Sequence, residues 1–278
     1  MVHRVEDLDG PRTVPGADAE IADDLRFLGL TWDEGYDGGP GRGLYHQSQR
    51  SALYEAALSQ LAGQGLTFAC SCTRRELRAS SSAPHGDLGP SYPGTCLRGP
   101  AHQGRTLSTR FRMAKGPWPF VDGLYGQVEL DVRDDFVVRR ADGLYAYQLA
   151  VVVDDIAMGV THVVRGADLL SSTPRQLSLY AALGHPAPAF THVPLWLNPS
   201  GQRLAKRDRA VAIADYRAAG ISPARIVGAL AASVGLCPPG MEVMPADLLA
   251  SFRDFCLSPV PTAIAPTALG LPELDASR

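Results

Sequence analysis

The second half of the chain alternates helical and strand-like segments, and this alternation restricts the possible folds more than any other feature. Residues 144–157 and 173–183 have the periodicity of helices, whereas residues 161–165 and 190–197 read as strands. A helix between two strands is typical of a parallel sheet, because parallel strands need a crossover connection that packs against the sheet. The sequence therefore predicts an α/β fold in which a parallel sheet is flanked by helices.

Two further helices are predicted nearer the start of the chain, at residues 16–30 and 47–62. In the first of them, Ile21, Leu25 and Leu28 are spaced so that they share one face.

Residues 70–143 differ in character from the segments on either side. They contain three clustered cysteines and strand-like runs at 106–113 and 127–138. We predict that they form a β-rich module inserted into the α/β domain, and that a mainly helical region ends the chain. The predicted divisions are residues 1–69 with 144–209, residues 70–143, and residues 210–278.

Composition excludes some classes of protein and leaves others open. The 278 residues carry 26 Lys and Arg against 29 Asp and Glu, so no overall excess of positive charge favours nucleic acid, although a local basic patch can still bind RNA. No apolar run approaches the roughly 20 residues of a membrane-spanning helix. An odd count of five cysteines without a secretion signal favours a reducing cytoplasm over a disulfide framework. Cys237 and Cys256, which stand apart, are interpreted as core residues.

Cys70, Cys72 and Cys96 offer three thiolates, and zinc in proteins prefers four ligands in a tetrahedron. The spacing predicts a zinc site, and the alternative is a group of buried reduced cysteines without metal. Three residues are candidates for the fourth ligand: His85, His102 and Tyr92. A phenol coordinates only after losing its proton, which a bound divalent cation promotes.

A compact basic segment follows the strand-like run at 190–197. Residues 198–207 form a turn that leads to Arg203, Lys206 and Arg207. On charge alone this is a solvated turn. Its position favours a phosphate-binding role, because open α/β sheets bind ligands at the carboxyl ends of their strands.

Three further groups of residues are candidates for a functional role. Arg165 ends a predicted strand, and Tyr147 lies 18 residues earlier on a predicted helix. An arginine can hold a carboxylate bidentately, but a salt bridge and a core tyrosine explain these residues equally well. The acidic pair Asp154 and Asp155 is interpreted as structural. The glycine-rich run 38–43 lacks the Lys-Ser/Thr of a phosphate-binding loop and is read as a surface loop.

Taken in order, the motifs of the chain resemble the glutamyl-Q tRNA(Asp) synthetases, short paralogues of glutamyl-tRNA synthetase among the class I aminoacyl-tRNA synthetases. The segment Arg203–Arg207 resembles the class I signature loop usually written KMSKS. The other matching segments are RVEDLD (4–9), QSQR (47–50), CSCTR (70–74), YPGTC (92–96), AYQLAVVVDD (146–155) and VRGADL (164–169).

The resemblance implies a Rossmann-like catalytic domain and a role for each matching residue. Glu6 would hold the amino group of glutamate, while Tyr147 and Arg165 would bind the same substrate, Arg165 at a carboxylate. Lys206, with Arg203, would contact ATP and stabilise the activated phosphate. The implied ligands of one structural zinc ion are Cys70, Cys72, Tyr92 and Cys96.

The implied reaction has two steps and three partners. Glutamate would attack ATP, which is used with Mg²⁺, to give glutamyl-adenylate. The glutamyl group would then pass to queuosine in the anticodon of tRNA(Asp). The enzyme is expected to be a cytoplasmic monomer with no membrane association.

Two departures from the family pattern bear on these expectations. Ala205 and Arg203 stand where the family usually has serine and lysine, which keeps the loop small and basic. The first strand and helix, which carry the signature usually written HIGH, are not found, so we expect a segment to be missing upstream and activity to be impaired. Two alternatives remain: a non-catalytic zinc- and RNA-binding relative, and a fragment of a glutamyl-tRNA synthetase.

Overall fold

A computed structural model describes most of the chain. The basic segment 198–207, the glycine-rich run 38–43 and His85 lie outside the described residues. Within the described part, no helix is both long and apolar enough to cross a bilayer. The described residues are 1–9, 13–35, 45–80, 92–130, 132, 134–197, 211–252, 256–263, 270–272 and 274.

Helices and strands are numbered separately in chain order. The helices are α1 (Ala17–Phe27), α2 (Ser51–Gly63), α3 (Arg74–Ser80), α4 (Tyr147–Met158), α5 (Thr173–Leu183), α6 (Ile213–Ala218), α7 (Pro223–Ser233) and α8 (Pro245–Phe252). The strands are β1 (Val2–His3), β2 (Glu34–Gly35), β3 (Thr67–Cys70), β4 (Ser108–Phe111), β5 (Phe120–Asp122), β6 (Gly126–Val128), β7 (Phe136–Arg139), β8 (His162–Gly166), β9 (Ala189–Val193), β10 (Trp196–Leu197) and β11 (Thr262–Ala263).

The predicted helices are found close to their expected bounds. The helix expected at 173–183 is α5, and the helix expected at 144–157 is α4. Both end at a glycine in the left-handed conformation, Gly184 (φ 79°) and Gly159 (φ 65°), where other residues are strained. The predicted strand 190–197 is divided into β9 and β10.

The sheets are mixed, so the predicted parallel sheet is found only in part. In the four-stranded sheet, ordered β6-β5-β9-β8, β5 pairs with β9 in parallel but with β6 antiparallel. A second sheet, β3-β4-β7, is antiparallel, and two short pairs, β1-β2 and β10-β11, are parallel. Helix–strand alternation indicates crossovers, but it cannot reveal that the hairpin of β5 and β6, which precedes α4 in the chain, joins the sheet that contains β8 and β9.

The chain forms two compact units, each with its own core. One comprises residues 4–13 and 42–192, and the other comprises 1–3, 14–41 and 193–278. The first is built around α2, α4 and α5, and its most buried apolar side chains include Tyr54, Leu61, Leu149, Val152 and Leu179. The core of the second includes Leu28, Tyr216, Ile226 and Val227.

Burial differs from what residue type suggests in two places. Of the three apolar residues that share a face of α1, Leu28 is buried and Leu25 is half-buried, but Ile21 is 50% exposed. Cys256 is exposed and Cys237 is only half-buried. Residue type alone is a poor guide to burial, because many apolar side chains remain on the surface of a folded protein.

The carboxylate of Asp154 lies in the middle of the larger unit with no exposed surface. It accepts hydrogen bonds from Gln47 Nε2 at 2.7 Å, Arg50 Nε at 2.6 Å and Tyr54 Oη at 2.8 Å. The adjacent Asp155 accepts from Arg4 Nη1 at 2.7 Å. Both carboxylates of the acidic pair therefore accept hydrogen bonds from other side chains of the protein, which agrees with their interpretation as structural residues.

Replacing Asp154 by asparagine is expected to lower the free energy of unfolding by about 3–5 kcal/mol, because the buried guanidinium of Arg50 loses its counter-charge. Denaturant unfolding followed by circular dichroism measures this loss. Asp23→Asn is the control: Asp23 makes an exposed ion pair with Arg26 on α1, and its loss should cost less than about 1 kcal/mol. Equal effects of the two substitutions would contradict the central role of Asp154.

Candidate functional site

A cleft of about 1190 Å³ opens in the unit formed by residues 4–13 and 42–192. Glu6 and Tyr147 line it, together with Cys70 and Cys72. Four arginines also contribute to its wall: Arg74, Arg105, Arg110 and Arg140. The cleft is larger than the roughly 300–1,000 Å³ of a typical small-ligand pocket, so it has room for part of a larger ligand as well.

Glu6 reaches the cleft from a backbone segment that is tightly held. The N–H of Val5 donates to the carbonyl of Tyr45 at 2.9 Å, and the N–H of Gln47 donates to the carbonyl of Val5 at 3.0 Å. The Glu6 carboxylate accepts from Arg4 Nη2 at 3.2 Å and remains 42% exposed. It therefore presents a fixed but accessible negative charge to the cleft.

Tyr147 is the first residue of α4. Burial, with a smaller contribution from the nearby Glu6 carboxylate, raises the pKa of its phenol above the ordinary value. Its hydroxyl is therefore protonated at neutral pH and can donate a hydrogen bond. The side chain also interacts with Arg165, which links it to the neighbouring sheet.

Arg165 lies on β8 and is held by neighbours that the sequence did not single out. Its Nε donates to His192 Nε2 at 3.0 Å, and its Nη2 donates to Thr173 Oγ1 at 2.8 Å. Arg165 does not line the cleft itself, but it contacts Tyr147, which does. Glu6 and Tyr147 therefore line the cleft and lie close to each other, and Arg165 contacts Tyr147 from outside the cleft lining. A lone histidine within a predicted strand carries no signal that would have identified His192.

The three clustered cysteines meet beside β3. The sulfur atoms of Cys70, Cys72 and Cys96 all lie within 4.8 Å of one another, and those of Cys72 and Cys96 are 3.6 Å apart. Sulfurs bound to zinc at 2.3 Å in a tetrahedron are about 3.8 Å from one another. The donor set and its spacing fit a zinc ion.

Tyr92 is the nearest further donor among the described candidates. Its Oη lies 3.8 Å from Cys70 Sγ and accepts from the backbone N–H of Cys96 at 2.7 Å. The His102 side chain instead lies near Glu76, with its Nε2 3.8 Å from a carboxylate oxygen, and is not part of the cysteine group. This arrangement favours Tyr92 over His102.

The pKa values of Cys72 and Cys96 are shifted in opposite directions. Burial opposes ionisation of Cys96, but hydrogen bonds from the backbone N–H groups of Ala101 and Ser71 lower its pKa to about 6. Burial, together with hydrogen bonding to Cys96, raises the pKa of Cys72 to about 12. The lowered pKa of Cys96 favours its thiolate, which is the form that binds metal.

Arg110 adds a positive charge to the same cluster and was not predicted from the sequence. Its Nε donates to Cys70 Sγ at 3.3 Å, and its guanidinium carbon lies 4.0 Å from the centre of the Tyr92 ring. The guanidinium of Arg110 therefore contacts both Cys70 and Tyr92 and places a positive charge beside the cluster.

Among solved structures, the chain is similar to a glutamate tRNA ligase from Elizabethkingia meningosepticum determined in complex with its amino acid. The TM-score is 0.78 at 23% sequence identity, and the match covers 96% of this chain and 61% of that one. The chain therefore spans about three-fifths of the length of this solved protein. At this identity the likeness establishes the fold, which is the class I synthetase catalytic fold with mixed sheets.

Sequence comparisons identify the family. Residues 1–244 match the family described as tRNA synthetases class I (E and Q), catalytic domain. A glutamyl-Q tRNA(Asp) synthetase from Symbiobacterium thermophilum is 49% identical over 91% of this chain and 81% of its own length. One from Nocardia farcinica is 50% identical over 90% of this chain and 77% of its own length. The chain belongs to the class I tRNA synthetases for glutamate and glutamine, and within them to the glutamyl-Q tRNA(Asp) synthetase family.

Proposed function

We propose that this protein activates glutamate with ATP and transfers the glutamyl group to queuosine in the anticodon of tRNA(Asp). The observation that carries the proposal is the linked arrangement of Glu6, Tyr147 and Arg165 in a chain of this family. A negative group and a positive group joined through a hydroxyl donor are complementary to an amino acid with an acidic side chain.

In the proposed complex, the Glu6 carboxylate pairs with the ammonium group of glutamate. The Tyr147 hydroxyl donates a hydrogen bond to the substrate, and Arg165 pairs with a carboxylate. Support for this role of Arg165 is its contact with Tyr147, which lines the cleft. The two charged groups together select a zwitterion that carries an additional negative charge.

Activation is an in-line displacement at phosphorus. An oxygen of the glutamate α-carboxylate bonds to the α-phosphorus of ATP, the bond to the bridging oxygen breaks, and pyrophosphate leaves with Mg²⁺. Lys206 and Arg203, which lie outside the described residues, are proposed to stabilise the negative charge that develops on phosphate.

In the second step, a hydroxyl on the cyclopentene ring of queuosine attacks the activated carbonyl. The new ester bond forms, the bond between the carbonyl carbon and the phosphate oxygen breaks, AMP leaves, and the proton of the hydroxyl is released. The arginines that line the cleft beside Glu6 and Tyr147 provide positive charge for the phosphates of the incoming RNA.

We also propose that Cys70, Cys72, Tyr92 and Cys96 hold one structural zinc ion. The close sulfur atoms, the low pKa of Cys96 and the buried Arg110 support this assignment. When bound, zinc would tie β3 to the segment around Tyr92 and Cys96 and would take no part in the reaction.

Glutamate-dependent exchange between ATP and pyrophosphate, with zinc present and no tRNA, tests the first step. Glu6→Gln and Arg165→Lys are each expected to raise the KM for glutamate about 10- to 100-fold, because each removes or misplaces a charge-assisted hydrogen bond. Glu20→Gln, on the exposed side of α1, should leave the KM unchanged. A folded, zinc-loaded protein that supports no exchange would contradict the proposed activity.

The acceptor is tested separately with labelled glutamate. Label should enter tRNA(Asp) that carries queuosine and should not enter the same tRNA without it. Charging of the 3′ end of tRNA(Glu) would instead favour a fragment of a glutamyl-tRNA synthetase. RNA and zinc binding without adenylate formation would favour a non-catalytic relative.

Metal analysis of the purified protein is expected to give one zinc per chain. Cys72→Ser and Cys96→Ser should lose the metal, and Tyr92→Phe should weaken binding about tenfold or more in competition with a chelator, because one ligand is removed. Cys237→Ser is the control for cysteine loss, and His102→Ala is the control for the alternative fourth ligand. Loss of zinc in His102→Ala with retention in Tyr92→Phe would overturn the assignment of Tyr92.

A further inference from the structure

His192 on β9 occupies a fully buried position between two charged residues. Its Nδ1 lies 2.6 Å from Asp122 Oδ2, and its Nε2 lies 3.0 Å from Arg165 Nε. The three side chains form a line that starts on β5, crosses β9 and ends on β8. Of these three residues, only Arg165 is assigned a role in the proposed function.

The partners determine which nitrogen of His192 carries the proton. An arginine Nε can only donate, so Nε2 of His192 must accept and Nδ1 must carry the hydrogen. Nδ1 therefore donates to Asp122. Asp122 is itself held by the backbone N–H groups of Leu124 at 2.9 Å and Tyr125 at 3.0 Å. Each hydrogen bond in this line thus has a defined direction.

A protonated His192 is unfavourable in this place. Burial lowers the pKa of the imidazole, and the positive charge of Arg165 lowers it further, whereas Asp122 and the backbone carbonyl of Leu169 oppose the shift. Protonation would also place two N–H donors face to face at 3.0 Å. The neutral ring is therefore the form that fits.

Thr173 completes the support of Arg165. Its Oγ1 accepts from Arg165 Nη2 at 2.8 Å and lies 3.3 Å from His192 Nε2, so the hydroxyl can accept from one and donate to the other. The guanidinium carbon also lies 5.1 Å from the centre of the Phe190 ring. With Nε and Nη2 both engaged, the plane of the guanidinium is fixed.

We propose that His192 is a positioning residue for glutamate recognition, which holds the guanidinium of Arg165 in place through Nε2 while Asp122 fixes its tautomer. This inference rests on the proposed function, in which Arg165 pairs with a substrate carboxylate. The competing interpretation is purely structural: the bond between His192 and Asp122 ties β9 to β5, and Arg165 merely lies beside it.

Two substitutions of His192 separate these interpretations. Glutamine places its amide near the position of Nε2, so it can still accept from Arg165 but loses the bond to Asp122. Asparagine places its amide near the position of Nδ1, so it can still donate to Asp122 but leaves Arg165 Nε without its partner. Each variant loses one buried hydrogen bond, and we expect similar decreases in thermal stability.

Glutamate-dependent ATP–pyrophosphate exchange is measured on the full chain with zinc. His192→Asn is expected to raise the KM for glutamate about 10- to 100-fold, with the KM for ATP and kcat changed less than about threefold. His192→Gln should stay within about fivefold of the parent in all three values. An equal rise in both variants, or a larger rise in His192→Gln, would overturn the positioning role and leave a structural one.

Asp122→Asn tests the tautomer by a second route. The asparagine amide can donate to Nδ1, which would move the ring proton to Nε2 and oppose it to Arg165 Nε. We expect nuclear magnetic resonance of ¹⁵N-labelled histidine to show the Nδ1–H form in the parent and the Nε2–H form in this variant, together with a raised KM for glutamate. An Nε2–H tautomer in the parent would contradict the inference.

The outcomes distinguish the inference from the proposal on which it rests. A parent protein that supports no exchange contradicts the proposed function, and the role of His192 falls with it. Exchange in the parent without a difference between His192→Asn and His192→Gln contradicts the role of His192 alone.

Discussion

Asp154 carries a buried charge that cannot be solvated by water, and the surrounding unit is organised to compensate it. Arg50, which immediately precedes α2, and Tyr54 on α2 donate to the carboxylate. Because an uncompensated charge in this position is costly, these groups must be in place together. Asp154 belongs to the helix that begins at Tyr147, and the neighbouring Asp155 holds the segment that carries Glu6 through Arg4. The two cleft residues are therefore fixed relative to each other by interactions outside the cleft.

The same physical constraint operates at Arg165. A guanidinium that is removed from water needs acceptors, and His192 and Thr173 supply them from β9 and α5. The acceptors also determine its orientation, since each takes a different nitrogen. The proposed glutamate site is thus supported on both sides by buried polar contacts, which hold its geometry more closely than apolar packing would.

The cysteine cluster illustrates what short-range pattern can and cannot reveal. The spacing of Cys70 and Cys72 within one segment was enough to predict a metal site together with Cys96. The choice among Tyr92, His85 and His102 was open until family resemblance favoured Tyr92, whose hydroxyl lies 3.8 Å from Cys70 Sγ. Arg110 could not be predicted as part of the cluster. It lies on β4 and is brought to the cysteines by the pairing of β4 with β3, and the local sequence does not reveal which strands pair.

Periodicity and motif spacing are local properties of the chain, and they were sufficient to predict the helices, the family and, through the family resemblance, the candidate zinc ligands and the three glutamate-binding candidates. The mixed sheets, the exposure of Ile21 and the positions of His192 and Asp122 behind Arg165 are evident only in the folded structure. Burial, strand pairing and hydrogen-bond partners depend on residues far apart in sequence, here 70 positions between Asp122 and His192. Such contacts exist only after the chain has folded.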